Sequence, residues 1–285
     1  MRPYLHQIDP VAVHLGNFGI HWYGLAYLAA AGSAYLLGTR RAHDPWRGFA
    51  AKEIDDLIFY GMLGVILGGR IGYALFYGFA DFLASPLSIL KVWQGGMSFH
   101  GGMLGVIIST CLWAWKNQKA PFVVLDFVAP IVAIGLGLGR LGNFIGGELW
   151  GRRTDAALGV LFPRAPELAS YTPEQLQVAY QSGLLDQLAR HPSQLYQAVS
   201  EGLLLFAAVW CYSRKPRPTA AVGGLFALLY GVQRFLIEFV REPDQHLGFV
   251  ALQWLTMGQM LCVPMILFGA GLMTWAYLHA TPTKN

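Results

Sequence analysis

FVVLDFVAPIVAIGLGLG, residues 122–139, overlaps GLGLGRLGNFIGGELWG, residues 135–151. The first stretch is apolar and close to the roughly 20 residues that a membrane-spanning helix needs. The second places seven glycines around Arg140, Asn143 and Glu148, although an arginine inside a bilayer costs roughly 2.5–3.5 kcal/mol on insertion scales. The pattern predicts either a glycine-rich packing seam from which one arginine reaches the interface, or a polar site that a bulky ligand approaches closely.

The composition of the whole chain also points to the membrane. Of its 285 residues, 55% are apolar and only 13% are charged, against about 25% charged residues in soluble globular domains. Continuous apolar runs predict helices, since membrane β-strands alternate apolar and polar residues. We expect an all-α, polytopic membrane protein with seven transmembrane helices. The predicted spans lie near residues 18–38, 57–79, 97–115, 122–139, 195–212, 222–240 and 257–278.

Lysine and arginine are unevenly distributed over the connecting segments. With the N-terminus outside, the inner loops hold nine of them and the short outer segments hold three. Because basic residues accumulate in cytoplasmic loops, we expect an outer N-terminus and a cytoplasmic C-terminus. The inner loops also account for most of the formal charge of +4, so nucleic acid is not an expected partner.

Residues 144–192 are more polar than the rest of the chain. Within them, PEQLQVAYQSGLLDQLAR has the spacing of an amphipathic helix, with Leu176, Tyr180, Leu184 and Leu188 on one face. We expect a small folded head on the outer side, inserted in a single membrane domain that covers residues 1–285. The alternative is a flexible loop.

The sixth predicted span carries four polar side chains on one stripe. Tyr230, Arg234, Glu238 and Arg241 follow one another in steps of four, four and three residues, which keeps them on one face of a helix. A structural interpretation is an internal ion pair between Arg234 and Glu238. Two arginines against one carboxylate leave a positive charge, however, and a buried positive charge favours a bound anion.

Three further residues are candidates at the outer ends of the first three spans. His100 is either a hydrogen-bonded interface residue or a proton carrier, because histidine titrates near neutral pH. Tyr23 is either part of the aromatic belt or a site residue. Arg70 could pair with Asp81 or Glu148, or contact a lipid headgroup.

With this orientation, all of these candidates project into the outer half of the membrane. Arginines bind phosphate through planar, bidentate donors, so a cavity lined by them and open to lipid suits a phospholipid headgroup. No metal-ligating motif occurs in the sequence, and we expect neither a metal nor a cofactor. The alternative function is a transporter or flippase for an anionic solute or lipid, although the sequence shows no strong internal repeat. A purely structural membrane scaffold is a third possibility.

Six sequence blocks, taken together, resemble the bacterial prolipoprotein diacylglyceryl transferase family over essentially the whole chain. The resemblance implies transfer of the diacylglyceryl group of phosphatidylglycerol to the lipobox cysteine of prolipoproteins, in the bacterial inner membrane, with release of glycerol 1-phosphate. It also implies seven helices with a periplasmic head. The blocks are HWYGLAYL, GGRIGYALFY, GGMSFHGGMLG, GRLGNFIGGELWGR, RHPSQLYQA and YGVQRFLIEFVREPD.

The resemblance also implies which residues function. They are Tyr23, His100, Arg140, Asn143, Glu148, Gly151, Tyr230, Arg234, Glu238 and Arg241. The chain departs from the family at Gly146, where asparagine is frequent, and at Gln94, where an acidic residue is frequent. Neither departure touches the main arginines.

The combined hypothesis assigns a role to each candidate. Arg140 and Arg234 bind the phosphoglycerol group, where negative charge develops as the C–O bond breaks, and His100 is the candidate base for the incoming thiol. Binding roles are assigned to the remaining residues, with Arg241 expected to guard the exit side. These residues are Tyr23, Arg70, Asn143, Glu148, Gly151, Tyr230, Glu238 and Arg241.

Overall fold

The computed structural model describes residues 2–16, 18–91, 96–243, 248–252 and 254–280. Within these ranges, the side chains of Phe18, Ala80, Asp81 and Phe99 are not described. Gln94 lies outside the described residues, and so does the side chain of Asp81 as an expected partner of Arg70.

The described chain is mostly helical. A π-helical segment, Ala198–Leu204, joins α7 to α8, so that Ser193–Tyr212 forms one continuous helix of 20 residues. The helices are α1 (Trp22–Ala42), α2 (Ala51–Phe76), α3 (Phe79–Ala84), α4 (Phe99–Lys116), α5 (Pro121–Gly146), α6 (Pro173–Gln181), α7 (Ser193–Gln197), α8 (Leu205–Tyr212), α9 (Ala221–Ile237) and α10 (Met257–Leu278).

Six short strands accompany the helices in the described ranges. They pair as three two-stranded ladders: β1 with β4 in parallel, β2 with β3 antiparallel and β5 with β6 antiparallel. The strands are β1 (Tyr4–Leu5), β2 (Val11–Leu15), β3 (Phe18–His21), β4 (Val160–Leu161), β5 (Phe249–Ala251) and β6 (Leu255–Thr256).

Within the part of the chain that the structure describes, four helical segments are long and apolar enough to cross a membrane: α2, α5, Ser193–Tyr212 and α10. Helix α9 is a shorter apolar helix of 17 residues. Helices α1 and α4 occupy the first and third predicted spans. The chain is therefore a mostly helical protein with several membrane-grade helices, as the sequence predicts.

The helix boundaries differ from the predicted ones where local chemistry intervenes. The first helix begins at Trp22 instead of residue 18, because Phe18–His21 pairs with Val11–Leu15 in a hairpin. The fourth continues to Gly146 instead of ending at residue 139. Its end is set by Gly147, which has a left-handed φ of 63° that favours glycine.

Consecutive long helices run in opposite directions, and a buried cluster marks one end. At this end, Ala42, Ile54, Trp113 and Val124 pack together, which joins the last turns of α1 and α4 to the first turns of α2 and α5. The basic loops 43–50, 117–120 and 213–220 lie at this end of the helices. We call it the basic end, and the other the site end.

Helices α2 and α4 meet along a glycine seam. A Cβ atom on Gly68 would overlap the carbonyl oxygen of Gly101 and lie 2.7 Å from Cα of Gly105. A Cβ atom on Gly64 would likewise overlap the backbone of Gly105. The two backbones are therefore in direct contact, which is possible only without side chains at these positions.

Residues 147–192 fold into a small unit at the site end with a core of its own. Leu161, Leu168, Leu176 and Leu185 are almost completely buried in it. The N-terminal segment belongs to the same unit, because β1 adds a parallel strand to β4 and Leu5 enters the core. This participation of the N-terminus was not predicted from the sequence.

Arg190 connects this unit to the segment that follows α9. Its guanidinium donates to Glu167 at 2.7 Å and to Glu242 at 2.9 Å. Arg153 donates to the same oxygen of Glu167 at 2.8 Å. Partial burial raises the pKa of the Glu167 carboxyl, but the hydrogen bonds from Arg153 and Arg190 outweigh this effect and lower the pKa to about 2.

We predict that Gly68→Ala destabilises the protein, whereas Gly61→Ala in the same helix does not. The added methyl on Gly68 forces α2 and α4 apart, at a cost of about 1–3 kcal/mol. A Cβ atom on Gly61 meets nothing within 4 Å, and alanine favours helix by about 0.5–1 kcal/mol over glycine. Thermal unfolding of the purified variants in detergent measures both effects, and equal melting temperatures would contradict the seam.

We predict that Glu167 stabilises the folded unit of residues 147–192 in a pH-dependent way. Its carboxyl has a lower pKa in the folded state, about 2, than the roughly 4.3 of an unfolded glutamate. The contribution is therefore complete above about pH 4.3 and disappears as the pH falls towards 2. Glu167→Gln should reduce the free energy of unfolding at pH 6 by about 1 kcal/mol, which thermal unfolding measures as a lower melting temperature. The difference from wild type should shrink as the pH is lowered. A difference independent of pH would contradict the ion pair.

Candidate functional site

Five charged residues form one cluster at the site end of the helices. We call this group, which consists of Arg140, Glu201, Arg234, Glu238 and Arg241, the arginine cluster. Arg140 lies near the end of α5, Glu201 in the π-helical segment and Arg234 in the last turn of α9, with Glu238 and Arg241 directly after it. Each guanidinium is at most 15% exposed. The arginines of separate helices therefore meet at one end of the helix bundle, as we expected from the predicted direction of the spans and the positions of the arginines in them.

Glu238 is the more strongly bound of the two carboxylates. Its Oε2 accepts a hydrogen bond of 2.5 Å from Arg234 and lies 3.7 Å from Nη1 of Arg241. Thr256 donates its hydroxyl to Oε1 at 2.9 Å. Gly258 lines the other side, where a Cβ atom would lie 2.6 Å from the same oxygen. The carboxylate is thus fixed from three directions and holds two of the arginines in place.

Glu201 is the second carboxylate, and it was not a candidate in the sequence analysis. Its side chain is fully buried, and its Oε2 lies 3.5 Å from Nε of Arg140. Arg234 and Arg241 also act on it electrostatically. A signal was present in the sequence, since Glu201 is the one acidic residue in the apolar run 195–212.

The π-helical segment places Glu201 where α5 passes closest. Gly202 packs directly on Gly137, and a Cβ atom there would lie 2.6 Å from Cα of Gly137. Short π-helical segments occur frequently at functional sites, because the wider turn changes the direction of the side chains. The close contact with α5 brings Glu201 next to Arg140 without a side chain between the two helices.

Tyr230 borders the cluster from α9. Its side chain is in electrostatic contact with Glu201, Arg140 and Arg234, and its ring stacks on Phe226 with 6.0 Å between the centroids. Tyr230 and Arg234 share one face of α9, as the spacing predicts. The helix ends at Ile237, however, so that Glu238 is its C-cap and Arg241 lies in the β-bridge with Gly151. The four residues are brought together by the contacts of Glu238 with both arginines and not by one helical face.

Asn143 and Glu148 form a second polar group, next to Tyr23. The amide of Asn143 donates to Oε1 of Glu148 at 2.9 Å, and Glu148 acts electrostatically on Tyr23. Gly142 lets the Tyr23 ring approach α5, since a Cβ atom would lie 2.8 Å from it. Tyr23 is 40% exposed. A small cleft opens here, lined by Pro10, His21, Trp22, Tyr23, Gly142, Ile145, Gly146, Glu148 and Arg164.

Gly151 fixes the backbone of the cluster. Its amide donates to the carbonyl of His191 at 2.8 Å, and it forms a β-bridge with Arg241. A Cβ atom at this position would overlap the carbonyl oxygen of Val240. Arg152 continues the connection by donating to the carbonyl of Arg241 at 2.9 Å. Only glycine fits here, and its contacts fix the backbone position of Arg241.

Arg70 contacts backbone carbonyls. Its guanidinium donates to Ser88 at 2.6 Å, to Ile89 at 3.0 Å and to Gly96 at 2.9 Å. Glu148, one expected partner, is bonded to Asn143 instead. Arg70 therefore joins the backbone at residues 88–89 to that at residue 96, just before α4.

His100 lies in the first turn of α4, at the site end, with an exposed side chain. Ser98 caps this helix by accepting a hydrogen bond of 3.2 Å from the amide of Gly101. The Gly101 backbone in turn packs on Gly68 of α2. The position of His100 is thus determined by the α2–α4 pair, and that of the arginine cluster by α5, α9 and the π-helical segment.

The fold and the site together define a multi-pass helical membrane protein with a buried, arginine-rich cluster at one end. A family model described as prolipoprotein diacylglyceryl transferase matches residues 10–275. The chain belongs to this family, and it is accordingly a transferase.

Curated relatives are similar over nearly the full length. The phosphatidylglycerol–prolipoprotein diacylglyceryl transferase of Xanthomonas campestris pv. campestris (strain B100) is 58% identical over 280 residues, which cover 98% of this chain and 94% of the relative. The protein of the same name from Xanthomonas oryzae pv. oryzae (strain PXO99A) is 58% identical over 271 residues, 95% of this chain and 92% of the relative. That of Xanthomonas euvesicatoria pv. vesicatoria (strain 85-10) is 59% identical over 267 residues, 93% of this chain and 90% of the relative.

Proposed function

We propose that the chain transfers the diacylglyceryl group of phosphatidylglycerol to the lipobox cysteine of prolipoproteins, the first step of lipoprotein maturation. The observation that carries the proposal is the arginine cluster. Three guanidinium groups and two carboxylates leave one net positive charge among apolar helices. Such a site favours a singly charged anion such as a phosphodiester. The relatives' names supply the two substrates.

The reaction is a displacement at C3 of the glycerol. The cysteine sulfur forms a bond to this carbon, and the bond from the carbon to the phosphate oxygen breaks. The products are a thioether and glycerol 1-phosphate, and the thiol proton passes to a base or to solvent. A thiol has a pKa near 8.5, so only a few per cent is ionised at neutral pH. The site has to favour thiolate and stabilise the phosphate that leaves.

Arg140 and Arg234 bind the phosphate in this proposal. They approach from α5 and α9, and Glu238 and Glu201 hold their guanidinium groups in place. Negative charge grows on the phosphate as the C–O bond breaks, and fixed guanidinium groups stabilise that charge without reorganising. Arg241 guards the exit side, next to the folded unit at residues 147–192, to which the Gly151 bridge attaches it.

The remaining candidates orient the lipid or the frame around it. Asn143 and Tyr23 contact the headgroup, Glu148 holds the Asn143 amide, and Tyr230 closes the cluster from α9. Gly151 and Arg70 act through the backbone, the first by its bridge to Arg241 and the second by joining the backbone at residues 88–89 to that at residue 96.

His100 is the proposed base for the thiol. Its support is position and chemistry, since it lies exposed at the site end and histidine titrates near neutral pH. The positive arginine cluster also favours the thiolate, and the two effects act in the same direction.

We further propose seven transmembrane helices, with residues 144–192 as a periplasmic head, in the bacterial inner membrane. The support is the distribution of charge over the antiparallel helices. The basic loops share one end, which the positive-inside rule places in the cytoplasm. The N-terminus then lies in the periplasm with the arginine cluster, and the C-terminus in the cytoplasm. Acyl chains remain in the lipid, and nucleic acid has no role.

We predict that Arg140→Ala and Arg234→Ala each reduce diacylglyceryl transfer by at least about 100-fold, a loss typical of removing one stabilising donor. The assay follows the thioether product on a lipobox peptide with phosphatidylglycerol in detergent or liposomes. Arg214→Ala is the matched control, because Arg214 is exposed at the basic end. It should retain normal activity.

Near-normal transfer by either cluster variant would refute phosphate binding by these arginines. The same liposomes separate the enzyme from a transporter or flippase. Movement of phosphatidylglycerol or an anionic solute across the bilayer, without thioether formation, would support the transporter instead.

We predict that His100→Gln lowers the rate at neutral pH by about 100-fold or more, the range of general base catalysis. The loss should shrink as the pH rises towards the thiol pKa, because the thiolate then forms without a base. Initial rates between pH 6.5 and 9 measure this. A loss that is the same at all pH values would remove the base assignment and leave the arginine assignment intact.

A further inference from the structure

Glu201 is a buried charged residue whose role in the proposed reaction is limited to holding Arg140 in place. Its side chain is 0% exposed and lies among apolar helices, where an ionised carboxylate is costly unless it is paired. Glu238 contacts Arg234 and Arg241, and Glu201 is the ion-pair partner of Arg140. Its presence lowers the positive charge of a site that is proposed to bind an anion.

The contacts of Glu201 show which charges it acts on. The carboxylate lies 3.5 Å from Nε of Arg140, and Arg234 and Arg241 also act on it electrostatically. The π-helical segment and the contact of Gly202 with Gly137 fix its position. Glu201 is therefore paired with Arg140, and its charge also acts on Arg234 and Arg241.

The charge of the cluster follows from its members. With Glu238 alone, the three arginines would have a net charge of two, and Glu201 reduces it to one. Arg152 is the next cation along the chain after Arg140, and it is not counted in the cluster because it contacts backbone carbonyls and a ring. Its guanidinium donates to the carbonyls of Arg241 and Glu238 and lies 5.2 Å from the ring of Phe249.

We propose that Glu201 sets the charge of the arginine cluster, so that the site matches a singly charged phosphodiester in preference to a doubly charged phosphomonoester. The inference rests on the proposed function. Glu201 is a positioning and specificity residue here, since it acts through Arg140, Arg234 and Arg241 and not on the reacting atoms.

This charge match has a consequence for turnover. Phosphatidylglycerol carries one negative charge on its phosphodiester. Glycerol 1-phosphate is a monoester, whose second proton dissociates with a pKa of about 6, so that it carries close to two charges at neutral pH. A site with a net charge of two would retain this product, whereas a net charge of one binds substrate and lets product leave.

The experiment compares wild type with Glu201→Gln and Glu201→Asp. Transfer to a lipobox peptide is measured at pH 8 and low salt, with two added inhibitors: glycerol 1-phosphate and its methyl phosphodiester. The ratio of the two inhibition constants reports the preference for monoester over diester, independently of the rate. Ser200→Ala is the control, because Ser200 neighbours Glu201 and its hydroxyl donates locally to Tyr196 at 2.8 Å.

Wild type, Glu201→Asp and Ser200→Ala should bind the diester at least as tightly as the monoester. Glu201→Gln should shift the ratio towards the monoester on the order of tenfold, because one unit charge is removed near the phosphate. A merely structural role would weaken both inhibitors together and leave the ratio unchanged.

Two results would overturn the inference. One is an unchanged ratio in an active Glu201→Gln, which would show that the carboxyl group contributes no charge to the site. The other is a wild type that prefers the monoester more than tenfold, and this measurement remains decisive even if Glu201→Gln fails to fold. Absence of any thioether product in wild type would instead refute the proposed function.

Discussion

The structure depends on two buried carboxylates that hold three arginines at one end of an apolar helix bundle. Guanidinium groups are costly inside a membrane, and Glu201 and Glu238 make the arrangement tolerable through ion pairs at 3.5 Å with Arg140 and 2.5 Å with Arg234. The five side chains leave one formal positive charge, which in the proposed function binds the phosphate. Arrangements of this kind are preorganised, and the guanidinium groups need not move when a phosphate becomes more negative.

Close contacts between backbones make this arrangement possible. Gly202 packs on Gly137, which brings the π-helical segment next to α5. Gly151 packs against the carbonyl oxygen of Val240 and pairs with Arg241, which fixes the backbone position of Arg241. In both places, glycine is needed for space, and its flexibility is not used. Of the seven glycines of residues 135–151, Gly137, Gly142 and Gly151 make close contacts that a side chain would prevent, whereas a Cβ atom on Gly139 would meet nothing within 4 Å. The tract is thus a packing seam in part, and it also carries Arg140.

The composition and the spacing of polar residues predicted the helical membrane architecture and the converging arginines. The shared face of Tyr230 and Arg234 on α9 is a local property, because residues four apart lie on one face of any helix. Glu238 and Arg241 follow the end of that helix at Ile237. Charge asymmetry between loops likewise depends on order along the chain alone. The six sequence blocks also led to the correct family, since they occur together and in order over essentially the whole chain.

Only the tertiary structure could decide the partners. A carboxylate in an apolar run is isolated in the sequence, and only the packing of Gly202 on α5 shows that Glu201 faces Arg140. For Arg70 the sequence left several partners open, and within the described residues its guanidinium donates to the carbonyls of Ser88, Ile89 and Gly96. The pairing of the N-terminal strand with residues 160–161 was likewise visible only in the structure. Hydrogen bonds and ion pairs depend on distance in space, and periodicity along one helix contains no information about its neighbours.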